Sequence, residues 1–141
     1  MPILGEWVTA PSFNKEENTM LEAYSLDVSV AANVAIPFQN VTIQKGCTAE
    51  LSGTNTITLN KAGVYMVAYN ASAEASTTIQ LYKDGVIQPQ AQSTGVNPSF
   101  VTLVQVSENN CCCPCASGVT LQIMNEVETT LTANVVITKI V

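Results

Sequence analysis

From Tyr24 onward the chain alternates apolar and polar residues with a period of two, in short runs broken by turn residues. That period belongs to half-buried strands and leaves no stretch for a long amphipathic helix. Gly63 to Ala73 reads GVYMVAYNASA, which puts Tyr65, Val67, Tyr69, Ala71 and Ala73 on one face and Val64, Met66, Ala68, Asn70 and Ser72 on the other. Ile79 and Leu81 repeat the alternation, as do Val119, Leu121 and Ile123, and then Leu131, Ala133, Val135 and Ile137. Turn signals stand between the runs: Lys61-Ala62-Gly63, Lys83-Asp84-Gly85, Gly95-Val96-Asn97-Pro98, Glu108-Asn109-Asn110 and Ser117-Gly118. Asp-Gly is the strongest of them, because glycine adopts positive φ at no steric cost. The spacing predicts about 8–10 short strands. The fold class is therefore all-β, a sandwich or jelly roll in which each strand buries one face.

Several strands carry apolar or small residues on both faces. Met66 and Ala68 lie opposite Tyr65 and Val67, and Val101 and Leu103 lie opposite Phe100, Val104 and Val106. A solitary sandwich in water has polar outer faces. Charged residues make up only 11% of the chain, against roughly 25% in ordinary globular domains. An outer face of Ala, Val, Met, Thr and Asn reads as a subunit interface. The alternation alone leaves open which face of each strand meets a partner.

The same composition excludes whole classes of chemistry. Histidine and arginine are both absent, so all five cationic side chains are lysines. No imidazole is available as general base or metal ligand, and no guanidinium fork for phosphate or carboxylate. A net charge of −6 opposes nucleic-acid binding. No uncharged apolar run approaches the roughly 18 residues of a membrane helix. The opening Met1-Pro2-Ile3-Leu4-Gly5-Glu6 lacks the basic and apolar regions of a signal peptide. The expectation is a non-enzymatic protein with no cofactor.

Residues 1–24 differ from the rest: they hold the only tryptophan, Trp7, together with Phe13 and a cluster of charges at Lys15, Glu16, Glu17 and Glu22. Only Glu16 to Tyr24 has the character for a helical turn or two. The segment reads as an arm preceding a domain of residues 25–141, the alternative being a first strand packed on the domain, and a tryptophan on an arm needs a groove, on its own domain or on a partner, to bury it. Glu126 and Glu128, expected on one strand face, come closest with Asp84 or Glu74 to a cation site. Hard cations want six to eight oxygens, which no loop here supplies, so these carboxylates read as solvated surface. Asn40-Val41-Thr42 and Asn70-Ala71-Ser72 match the glycosylation sequon and are read as chance matches in an Asn- and Thr-rich chain.

The stretch from Asn55 to Tyr69, NTITLNKAGVYMVAY, resembles the central strand pair of C1q/TNF-like trimeric jelly rolls. Ile79-Gln80-Leu81-Tyr82-Lys83-Asp84-Gly85 is similar to a hairpin of that family, and Leu131 to Lys139 to its final strand. The resemblance is nearest to phage head-fibre or decoration proteins and to the C-terminal domains of bacterial collagen-like spore-surface glycoproteins, though no Gly-X-Y stalk is present. It implies a homotrimeric virion structural protein on the capsid exterior. Trp7 and Phe13 would attach it to a major capsid or other virion protein. Tyr65, Val67, Tyr69, Leu131, Val135 and Ile137 would line the trimer contact. The alternative it allows is a receptor- or glycan-binding adhesin on a phage, bacterial or spore surface, for which Tyr82 and Phe100 are the candidate loop aromatics.

The cysteines are Cys47 and the cluster Cys111, Cys112, Cys113 and Cys115. Their spacing does not match paired zinc-binding motifs, and adjacent cysteines pair poorly with each other. Small buried or capped thiols, disulfides within the chain and disulfides closing a ring around a threefold axis all stay open.

Overall fold

The computed structural model describes residues 19–46, 49–107 and 118–141. Along them run eleven strands: β1 (Met20–Val30), β2 (Val34–Ala35), β3 (Asn40–Lys45), β4 (Ala49–Ser52), β5 (Thr56–Leu59), β6 (Gly63–Ala73), β7 (Thr77–Lys83), β8 (Val86–Gly95), β9 (Ser99–Val106), β10 (Val119–Asn125) and β11 (Thr129–Lys139). The count exceeds the expected range because short pieces such as the two-residue β2 carry no alternation of their own. No helix occurs among the described residues.

Two antiparallel sheets face each other. One has the order β3-β1-β11-β6-β9, the other β4-β5-β10-β7-β8, with β2 also pairing β10. The chain crosses between them repeatedly, and β1 and β11 end up adjacent in the middle of the first sheet. Apart from the β4–β5 and β7–β8 hairpins, such crossing places neighbours in sequence in opposite layers, so that each strand's inward face meets the other sheet.

Period-two alternation is visible as burial. Along β10 Val119, Leu121, Ile123 and Asn125 are buried while the residues between them are partly exposed, and β9 and β11 behave in the same way. The core is formed by Leu21, Phe38, Ile57, Tyr65, Leu81, Leu121, Ile137 and their neighbours. Leu21 and Ala23 are wholly buried in β1. The sandwich therefore begins at Met20 or before, not at residue 25, and residues 20–24 form strand rather than a helical turn. Trp7, Phe13 and all five cysteines (Cys47, Cys111, Cys112, Cys113 and Cys115) lie outside the described residues, as does the Glu108-Asn109-Asn110 turn.

The expected Asp-Gly hairpin is present. Lys83 pairs with Val86 across a two-residue loop, and Asp84 and Gly85 have φ of 52° and 81°, the two positive values of a type I′ turn. Asp84 Oδ1 also accepts from the Thr120 amide at 2.9 Å, tying the turn to β10. Glu126 and Glu128 fall in the turn between β10 and β11 rather than on a strand face. That turn and Asp84 flank opposite ends of β10, so Asp84 is not brought to Glu126 and Glu128. No metal-binding group of His, Cys, Asp or Glu occurs among the described residues.

Tyr69 is buried at the centre of an aromatic cluster. It stacks on Phe100 at 5.6 Å between ring centroids and meets Phe38 edge-on at 6.4 Å. Its hydroxyl has no hydrogen-bond partner among the described residues, and burial pushes its pKa well above the ordinary value. An orphaned buried hydroxyl is a net cost, so Tyr69→Phe should leave stability unchanged or raise it by up to about 1 kcal/mol at neutral pH. With the folded-state pKa raised, stability falls as pH rises above the unfolded value of about 10, by up to about 1.4 kcal/mol per pH unit. Denaturant titrations from pH 8 to 11 should show that loss in the native sequence and much less of it in Tyr69→Phe.

Candidate assembly interface

The expected contact residues Tyr65, Val67, Tyr69, Leu131, Val135 and Ile137 all point between the two sheets of one chain, each no more than 1% exposed. This corrects the expected trimer contact, because side chains that fill a single chain's own core have no surface left for a partner. Phe100 is likewise buried against Tyr69 instead of standing in a loop.

The opposite faces of the same strands are the ones that remain available. Strand register sets them out in rows across β1, β11, β6 and β9, and β3 beyond β1 adds Lys45 and Ile43 to the first two. One row runs Met20, Thr138, Met66, Leu103, and the next Glu22, Val136, Ala68, Val101. A third runs Tyr24, Asn134, Asn70, Ser99. The first two rows are mostly apolar and the third is neutral and polar. Val101 and Leu103, on the edge strand β9, are 66% and 57% exposed.

The charge on β1, β11, β6 and β9 in these rows is Glu22, and it is held in place. Its carboxylate accepts from Thr42 Oγ1 at 3.0 Å and from Asn134 Nδ2 at 3.2 Å. Fixing it in this way leaves the centre of the face, from Met66 to Val101, free of charge. The outer face of the other sheet is mostly polar, presenting Thr56, Thr58, Thr120, Gln122, Thr78 and Gln80 with Tyr82, Met124 and Ile87 among them. One outer face thus suits water and the other suits protein.

No family model and no curated protein matches the sequence. Solved structures do. The globular domain of a zebrafish complement 1qA protein superposes with a TM-score of 0.69 at 12% identity, covering 87% of this chain and 98% of that one. The PRD1 vertex protein P5 follows with 0.62 at 11%, covering 89% and 98%, and murine APRIL at pH 8.5 with 0.64 at 8%, covering 87% and 99%. The chain has the C1q/TNF-like jelly-roll fold.

Within this C1q/TNF-like jelly roll, Met66, Ala68, Val101 and Leu103 belong to the outer face that composition marks as a candidate interface, and the register adds Val136 to them. Two-faced apolarity marked them as strand positions opposite the core. What would have separated the faces on these strands is the aromatic content: the core side carries Tyr65, Tyr69 and Phe100, and the outer side has no ring. A gap of roughly 10 Å between packed sheets takes the rings.

Proposed function

We propose that this chain is a non-enzymatic structural protein of a virion surface, a homotrimeric head-fibre or capsid-decoration protein. The observation that carries the reading is the half-apolar outer face of the five-stranded sheet, free of charge across β11, β6 and β9, beside a mostly polar outer face on the other sheet. Three copies packed through the first face would bury Val101 and Leu103 and leave the second in water. The likeness to a phage vertex protein supports the virion assignment. The segment before β1, with Trp7 and Phe13, would be the arm that attaches each chain to a major capsid or other virion protein.

Light scattering tests the assembly: a mass three times 15.0 kDa at micromolar concentration is expected, and a single-chain mass would overturn it. Deleting residues 1–18 tests the arm, since it spares the buried Leu21 and Ala23. The shortened protein should still trimerise but no longer occupy particles. Full occupancy without the segment would place attachment elsewhere.

A further inference from the structure

The outer face of the six-stranded sheet holds a groove of about 230 Å³ over β7. It lies within one chain and is separate from the proposed contact. Its floor is Gln80, with Tyr82 beside it on β7, Gln92 and Ile87 on β8, Met124 on β10, and Asn33 and Glu126 in the turns at its end. Local backbone irregularity makes it. Gln80 pairs with Gln92 but Tyr82 pairs with Ile87, so Gln88 to Ala91 stand opposite Leu81 alone. Pro89, with no N–H to contribute to a ladder, sits in that bulge. Gln80 Nε2 closes it by donating to the Gln88 carbonyl at 2.7 Å and the Ala91 carbonyl at 3.1 Å.

The walls are equally fixed. Asn33 has φ of 61°, and its amide donates to the Asn125 carbonyl at 2.6 Å. The Glu126 amide donates to the Thr78 carbonyl at 3.0 Å. The groove is therefore built before any ligand arrives, which lowers the ordering cost of binding.

With Gln80 Nε2 committed, its Oε1 is left without a partner among the described residues, as are the side-chain amides of Asn33 and Gln92, the Tyr82 hydroxyl and the Glu126 carboxylate. The lining contains no lysine, so one carboxylate with no counter-cation disfavours phosphates, uronic acids and other anions. Purely apolar ligands would strand the amides. A neutral sugar ring answers both demands. Its hydroxyls each donate and accept, as free amide pairs require, and its C–H face has the Tyr82 ring as a flat apolar neighbour. The volume is below the roughly 300–1,000 Å³ of drug-sized sites, which limits the occupant to about one ring.

We propose that this groove binds a single ring of a neutral carbohydrate, making the trimer's outward sheet a glycan-recognition surface. The test is a nuclear magnetic resonance titration of the full chain with the methyl glycosides of glucose, galactose and N-acetylglucosamine, and with N-acetylneuraminic acid as anionic comparison. At least one neutral sugar should saturably shift the side-chain amide signals of Asn33, Gln80 and Gln92, and the anionic sugar should not. Gln92→Ala, at an exposed position, should weaken that binding about tenfold by removing hydrogen bonds, and Tyr82→Ala should abolish it. Backbone signals in β1 and β11 report that each variant is folded. The proposal is overturned if no neutral sugar moves these signals at tens of millimolar. Shifts that persist in both variants, or stronger binding of the anionic sugar, overturn it too. A trimer that binds no sugar would leave the structural reading intact, and a monomer that binds one would leave this inference intact.

Discussion

Asn125→Ala is expected to destabilise the domain by about 3–4 kcal/mol and to lower its thermal midpoint by roughly 10 °C. Asn125 is wholly buried at the end of β10, and every polar atom of its side chain is used. Oδ1 accepts from Thr77 Oγ1 at 2.7 Å. Nδ2 donates to the carbonyl of Val127 at 2.8 Å and to those of Val30 and Ala31 at 3.3 Å each. Thr77 Oγ1 in turn accepts from the Val127 amide at 3.0 Å. One side chain thus joins the end of β1, the start of β7 and the turn between β10 and β11.

Truncation leaves those carbonyls and the Thr77 hydroxyl short of partners in a dry site, where an unsatisfied group costs about 1–3 kcal/mol. Thr77→Val keeps the volume and removes the hydroxyl, for an expected loss of about 2 kcal/mol. Because both residues serve the same network, the double variant should lose less than the sum of the two. Chemical denaturation at fixed protein concentration measures all three. A loss below about 1 kcal/mol for Asn125→Ala would show that water replaces the network.

How far such features can be read from sequence depends on whether they are local. The strands, the Asp84-Gly85 turn and the all-β class were legible, because period-two alternation and turn chemistry are written in adjacent residues. Asn125 was not. In sequence it is a polar residue at the end of an apolar run, and its partners Val30, Ala31 and Thr77 are supplied only by the topology. The start of the sandwich stays open between an arm and a first strand in the sequence for a related reason. Leu21 and Ala23 alternate with Met20, Glu22 and Tyr24, but nearby charges hid a strand that pairs with β11, over a hundred residues away. The sugar-sized groove needs the bulge at Gln88 to Ala91, which no sequence pattern announces. The choice between strand faces also failed on locality. An apolar pair such as Val67 and Ala68 looks the same from either side until a second sheet occupies one of them.

That last point makes the outer face the place for the most decisive substitution. Val101→Glu combined with Leu103→Glu is expected to convert a three-chain particle to single chains at micromolar concentration. In one chain both positions are mostly exposed and lie on an edge strand, so the charges meet water and the fold has no reason to fail. In the proposed trimer each copy would have to desolvate two carboxylates on a face whose centre carries no charge, and where like charges from three chains converge. Burial of each native side chain is worth about 1.5–3 kcal/mol when complete. Three copies of two such losses come to about 9–18 kcal/mol before desolvation is added, enough to offset the roughly 8 kcal/mol per association step that micromolar affinity represents. Val86→Glu is the matched comparison: Val86 is as exposed, at 62%, but sits at the β7–β8 hairpin away from the face. It should leave the mass unchanged. Sedimentation velocity on the three proteins separates the outcomes. Loss of assembly only in the double variant assigns the contact to this face, whereas a trimer that survives both charges would move the contact elsewhere on the sandwich.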